Sequence, residues 1–226
     1  MPLLDPTSLA ATLDALNEAF FDRKTLPRRD REEVARWIAS RQGLPGSYAG
    51  MFAPPEEYRT GTRLKLFTGE VRASRGGAAH ILGEEACRAL ILLEVHVPPV
   101  QEALQRATEG MLGRLGRDTQ QTGRYCCGTC SVALWRHLAV GGLQQPERLL
   151  ARALQTLKAA RDGEGRWKGY PFWYGLLALS EAPLPAAQAE LRYAAPKLER
   201  ALRRSASDDV YSKRRWRLAE RVLAGC

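Results

Sequence analysis

Long apolar runs are missing from this chain: no stretch approaches 18 unbroken hydrophobic residues, which argues against a membrane-spanning helix. The opening residues, MPLLDPTSLAATLDAL, carry Asp5 and Asp14 and have no basic segment ahead of an apolar core, so no signal peptide is expected. Cysteine is sparse. Five in 226 residues, an odd number with two adjacent, make a poor disulfide framework and fit a reducing, cytoplasmic setting. The remaining composition is ordinary at 45% hydrophobic and 26% charged, which excludes wholesale disorder, a collagen repeat and a coiled-coil rod. A chain of 226 residues is expected to form one domain over 1–226.

Charge is present in excess of one sign. Thirty-four Lys and Arg face 25 Asp and Glu, for a net charge of +9. Nine basic residues (Lys197, Arg200, Arg203, Arg204, Lys213, Arg214, Arg215, Arg217, Arg221) and only four acidic ones lie between Lys197 and Arg221. Such a patch can attract phosphate on nucleic acid, an acidic lipid surface or a diphosphate. The plainer reading is a solvated helix face. Trp216 falls on the apolar side of that helix with Ala219 and Leu223, so it reads as core rather than as a stacking platform.

Almost every periodic segment reads as helix. Asp5 and Pro6 resemble an N-cap and first helical position, followed by Leu9, Leu13, Leu16 and Phe20 at helical spacing. After Pro27, Asp30 and Glu33 have capping-box spacing, with Val34, Trp37 and Ile38 as the buried stripe. Seven more helices are expected: Ile81 to Val95, Pro99 to Leu115, Thr129 to Val140, Pro146 to Ala160, Pro171 to Glu181, Pro185 to Arg204 with a bend at Pro196, and Asp208 to Leu223. Short Gly- or Pro-bearing turns between them favour antiparallel hairpins in an all-α fold. Residues 43–79 interrupt the pattern with seven glycines and Pro45, Pro54 and Pro55. This insertion reads either as a lid or binding segment or as a plain surface excursion. Within it Arg63 to Phe67 and Val71 to Ala73 can pair as a small β-hairpin.

A spaced pattern recurs. Trp37, Ile38, Gln42, Gly46 and Tyr48 set it; Leu115, Thr119, Gly123 and Tyr125 repeat it, as do Leu157, Arg161, Gly165 and Trp167, with a degenerate copy at Ala201, Ser205, Asp209 and Tyr211. The last three aromatic positions are 42 and then 44 residues apart, the length of one helical hairpin with its turns. Glycine lets the chain reverse, the polar residue can bond exposed backbone, and the aromatic packs over the joint.

These motifs resemble the QW-repeat proteins, the squalene-cyclase and protein-prenyltransferase group. The resemblance implies an α/α toroid, here partial because four and a half hairpins fall short of six. It also implies an apolar, isoprenoid or peptide-like ligand in a cavity framed by inner-helix N-termini. An unclosed ring would expose a terminal hairpin able to pair with a second copy. The cyclase Asp-x-Asp-Asp cluster has no counterpart, since the eight aspartates include only the pair Asp208 and Asp209, and no Asp-rich magnesium segment is found. The prenyltransferase members hold zinc through Asp, Cys and His from different helices; zinc is therefore a candidate cofactor, with no local pattern to fix its ligands. Whether the chain is an enzyme stays open.

Three segments carry candidate chemistry. In Tyr125-Cys126-Cys127-Gly128-Thr129-Cys130, Cys127 and Cys130 have C-x-x-C spacing at a helix start, where the dipole and free N–H groups favour a thiolate. A nucleophile, a redox pair or a metal ligand can follow; buried cysteines that merely fill space are the alternative. The small alkylhydroperoxidase-like family is similar in carrying C-x-x-C on a helix with a histidine soon after, although here His137 comes one turn late. Second, His80 and Glu84, four apart, share a helix face, where a carboxylate can orient an imidazole; a capping histidine beside a surface carboxylate is the plainer account. Third, Trp167 to Tyr174 holds five aromatics in eight residues, with Tyr125, Tyr170, Trp173 and Tyr174 the expected ligand wall. Expected catalytic groups are His80, Glu84, Cys127 and Cys130, with a scaffold for protein or nucleic acid, or C-x-x-C redox work, as alternatives.

Overall fold

Helical periodicity becomes helix nearly everywhere it occurs. The computed structural model describes residues 2–54, 63–72, 75–203 and 207–226. Its helices are α1 (Leu9–Phe21), α2 (Arg28–Ala39), α3 (Arg75–Leu93), α4 (Pro98–Leu112), α5 (Arg117–Thr122), α6 (Gly128–Ala139), α7 (Pro146–Ala159), α8 (Phe172–Glu181), α9 (Pro185–Leu202) and α10 (Val210–Ala224). β1 (Leu64–Lys65) and β2 (Val71–Arg72) pair as one short hairpin between α2 and α3. The fold is all-α apart from that hairpin. Pro55, Ala73, Arg204 and Ser205 lie outside the described residues. No described helix is long and apolar enough to cross a membrane.

The chain forms two compact units. The first comprises Met1–Leu64, Val71–Leu115 and Val140–Gln144; the second comprises Lys65–Glu70, Gly116–Ala139 and Gln145–Cys226.

In the first unit α3 packs against α1, α2 and α4. Residues 80–90 of α3 are buried without a break and on every face, so this helix needs no amphipathic stripe. It begins at Arg75, six positions ahead of the expected Ile81, and takes residues 75–79 out of the insertion. Gly76 and Gly77 read as breakers, but the packing of α3 outweighs their propensity. His80 consequently lies inside the helix rather than opening it. Ser8, not Asp5, caps α1: its Oγ accepts from Ala11 N–H at 3.1 Å, while Asp5 accepts from Thr7. α2 starts directly after Pro27, which places Asp30 in its first turn instead of at a capping box. Val34, Ala35 and Ile38 form its buried face, with Trp37 half-buried. Asn17 joins α1 to α3, donating to Glu85 Oε2 at 3.3 Å and accepting from Arg88 at 2.9 Å.

In the second unit α6 packs against α7 and α8, and α8 against α9 and α10. α6 is buried from Gly128 to Leu138 on all faces. α7 instead has one buried stripe, Leu149, Leu150, Ala153, Leu154 and Leu157, as a covering helix does. α5 escaped the periodicity reading because Arg-Asp-Thr-Gln-Gln-Thr has no apolar stripe and buries only Thr119. α9 runs through Pro196 as one helix.

The repeated glycines do reverse the chain. Gly46, Gly123 and Gly165 have φ of 96°, 63° and 84°, the left-handed region that glycine enters without a Cβ penalty. The polar residues ahead of them hold neighbouring elements. Gln42 donates to Gly50 O at 2.9 Å and accepts from Arg106 of α4 at 2.7 Å. Arg161 makes two bonds to the Glu190 carboxylate of α9, at 3.0 and 2.9 Å, and Trp167 Nε1 donates to the same carboxylate at 2.9 Å.

The basic α10 is partly drawn inward. Arg214, 5% exposed, donates to Phe67 O at 3.1 Å and covers the Phe67 ring at 4.1 Å. Arg215 donates to Thr68 O at 2.6 Å. Two of the cations expected to face phosphate therefore fasten the hairpin tip within the second unit. Glu70, on that tip, accepts from the Trp173 and Tyr174 N–H groups at 2.8 and 3.0 Å, and so caps α8.

Candidate thiol site

The start of α6 is built by close backbone approach. A Cβ at Gly128 would collide with Gly169 O, so only glycine lets the 169–170 loop lie against the helix start. The turn before it is braced from within α6. Ser131 Oγ accepts from Tyr125 N–H at 2.8 Å and lies 3.0 Å from Tyr125 O and 2.8 Å from Cys127 O, one of which takes its proton. Trp135 Nε1 donates to Gly123 O at 2.9 Å and pins the other end of the turn. Between these anchors Cys126 sits at φ 55°, a left-handed conformation uncommon for a residue with a side chain.

Three thiols result, none of them in a disulfide. Cys126 is exposed, Cys127 half-buried and Cys130 buried. Cys127 Sγ donates to Cys130 Sγ at 3.5 Å, and the Cys126 and Cys130 sulfurs lie within 4.8 Å of each other. The C-x-x-C spacing thus brings its two sulfurs together. Cys127 immediately precedes α6, whose unsatisfied N–H groups and dipole favour negative charge there. Thiolates in such a position are nucleophiles, redox partners and ligands for zinc or other soft metals.

Of the four expected wall residues, Tyr125 and Tyr170 lie at this helix start, whereas Tyr174 lies 5.5 Å from the Arg136 guanidinium further along α6. Tyr125 is 6% exposed and Tyr174 only 1%. Tyr170 packs on Trp135 with ring centroids 5.3 Å apart, and the Arg124 guanidinium lies 6.0 Å from its ring. The phenol oxygen of Tyr170 is buried with no hydrogen-bond partner among the described residues, and burial pushes its pKa up against the opposing pull of Arg124. Trp173 is half-buried, edge-on to Phe172, with Arg215 at 5.9 Å.

The other expected pair belongs to the first unit. His80 and Glu84 are 1% and 0% exposed, with Nε2 and Oε1 3.6 Å apart, so the histidine is no surface cap and the carboxylate is no surface group. The Tyr48 ring stacks on His80 at 4.3 Å and 15°. One turn beyond Glu84, burial and then the Glu84 charge push the Cys87 thiol well up, so it stays protonated and unreactive.

Cys126 and Ser131 were not singled out from the sequence. Adjacent cysteines gave a signal for the first; a hydroxyl six residues from the amide it caps leaves none. No protein-family model matches the chain, and no curated protein or solved structure is significantly similar to it.

Proposed function

We propose that the protein carries out thiol–disulfide exchange with Cys127 and Cys130 as the working pair. The observation behind this reading is the 3.5 Å separation of their sulfurs at the N-terminus of a buried helix, one thiol half-exposed and the other covered. The substrate is a disulfide, either within a protein or of a small molecule. Thiolate attack on that disulfide joins one of its sulfurs to a cysteine of the pair and expels the other sulfur as a thiolate, which takes up a proton. The remaining cysteine then attacks the mixed disulfide, releasing the second thiol and leaving Cys127 and Cys130 bonded, two electrons poorer. Reduction reverses the sequence.

With dithiothreitol as electron source, the protein is expected to accelerate reduction of a protein disulfide such as that of insulin, and Cys130→Ser to lower the rate at least about tenfold. An unchanged rate in that variant would defeat the reading.

A second reading keeps the QW-repeat resemblance, with an α/α toroid binding an apolar ligand against Tyr125, Tyr170, Trp173 and Tyr174. Positive φ at Gly46, Gly123 and Gly165 supports a common turn in each copy. In that reading the thiols serve as zinc ligands or as packing. Stoichiometric zinc in purified protein, lost in Cys130→Ser, would favour it over exchange chemistry.

A further inference from the structure

Resting on the exchange reading, we infer that Cys126 is the thiol that first meets the substrate disulfide and passes it inward to Cys127 and Cys130. Exposure falls along the three cysteines: Cys126 is open to solvent, Cys127 is half-buried, and Cys130 is 1% exposed. Attack on a bulky disulfide needs an accessible sulfur, which favours Cys126 for the first contact. Cys130 sits within reach of both partners, 3.5 Å from Cys127 Sγ and no more than 4.8 Å from Cys126 Sγ. Rotation about one side-chain torsion moves a sulfur by about 3 Å, enough to close either gap to bonding distance.

The backbone supports the same assignment. Cys126 is held at φ 55° by a turn that Ser131 and Trp135 fasten from the helix side, and it is one of the few residues other than glycine in that conformation. Cys126 thus stands immediately ahead of the C-x-x-C start in a left-handed conformation, and such conformations persist where the surroundings enforce them.

The steps balance. The Cys126 thiolate attacks a disulfide RS–SR, forming Cys126–S–SR and releasing RS⁻, which takes a proton. Cys130, deprotonated in turn, attacks the Cys126 sulfur, releases the second RSH and forms a Cys126–Cys130 bond. Cys127 then attacks Cys130 sulfur, frees the Cys126 thiolate and leaves Cys127–Cys130. Two thiols are oxidised, one RSSR becomes two RSH, and Cys126 is restored for another cycle.

The test oxidises pre-reduced full-length protein with glutathione disulfide and follows the products by mass spectrometry. Cys126→Ser and Cys126→Asn should both slow formation of the Cys127–Cys130 bond at least about tenfold without changing the final product. Asparagine accepts the left-handed backbone more readily than serine, so agreement between the two excludes a backbone effect. In Cys130→Ser the glutathione adduct should sit on Cys126. An unchanged rate in both Cys126 variants, or an adduct on Cys127, overturns the inference while leaving the dithiol reading intact. A wild-type protein that never forms the Cys127–Cys130 bond overturns both. Should Cys130→Ser fail to fold, the rates of the two exposed-site variants decide the matter.

Discussion

α3 and α6 are each buried along most of their length and both enclose ionisable side chains, Arg136 and His137 in α6, yet they place their thiols in opposite ways. α3 encloses its ionisable residues mid-helix: His80, Glu84, Glu85 and Arg88 are all at most 6% exposed, and Cys87 is sealed among them. α6 concentrates its thiols at one end, in a turn where exposure rises from Cys130 to Cys126. Burial on all sides therefore does not make a helix reactive. What separates the two is exposure at the helix start, where a turn braced by Ser131 leaves Cys126 open to solvent.

The largest expected effect breaks the α3 half of this contrast. Arg88→Ala removes the cation that bonds Asn17 inside the first unit and should lower stability by about 3–5 kcal/mol in urea unfolding. A loss under about 1 kcal/mol would mean that the buried polar set of α3 is not structural.

A smaller effect sharpens the α6 half. Gly128→Ala forces the helix start away from Gly169 and should cost about 1–3 kcal/mol while slowing exchange at Cys127. Gly175→Ala, in α8 with nothing within 4 Å of the added carbon, should instead stabilise by about 0.4–1 kcal/mol. Equal effects at the two glycines would refute the close-approach argument.

Thiol reactivity separates the helices directly. Iodoacetamide should modify Cys126 and Cys127 in the folded protein and leave Cys87 untouched until unfolding, as peptide mapping would report. Because burial raises the Cys87 pKa in the folded state, that state holds the thiol proton more tightly than the unfolded chain does. This contribution is complete below the ordinary thiol range and is lost as pH rises above about 9. Cys87→Ala should therefore flatten the decline of stability above about pH 9. A modest effect is expected at the start of α1, where Ser8→Ala should cost about 1 kcal/mol in the same urea assay.

Most helices were legible because a one-sided apolar stripe fixes a covering helix, as Leu149, Leu150, Ala153 and Leu154 do in α7. Helix ends were less so. The start of α3 was hidden by Gly76 and Gly77, whose poor propensity is overcome by packing that local sequence does not reveal. α5 had no stripe to read. At the thiol site, C-x-x-C spacing announced that Cys127 and Cys130 meet, since residues three apart on a helix share a face. The left-handed turn at Cys126 and the Ser131 brace were not readable, because both depend on how a loop folds back on the helix that follows it.

The claim that Cys127 and Cys130 form a working dithiol is tested most directly by equilibrating the protein across a series of glutathione redox buffers and mapping every cysteine by tandem mass spectrometry. The account predicts one two-electron transition, with the lost pair of hydrogens assigned to Cys127 and Cys130 and Cys87 free throughout. Reduced Cys127 and Cys130 in the most oxidising buffer, or a bond that maps to any other pair at equilibrium, would contradict it.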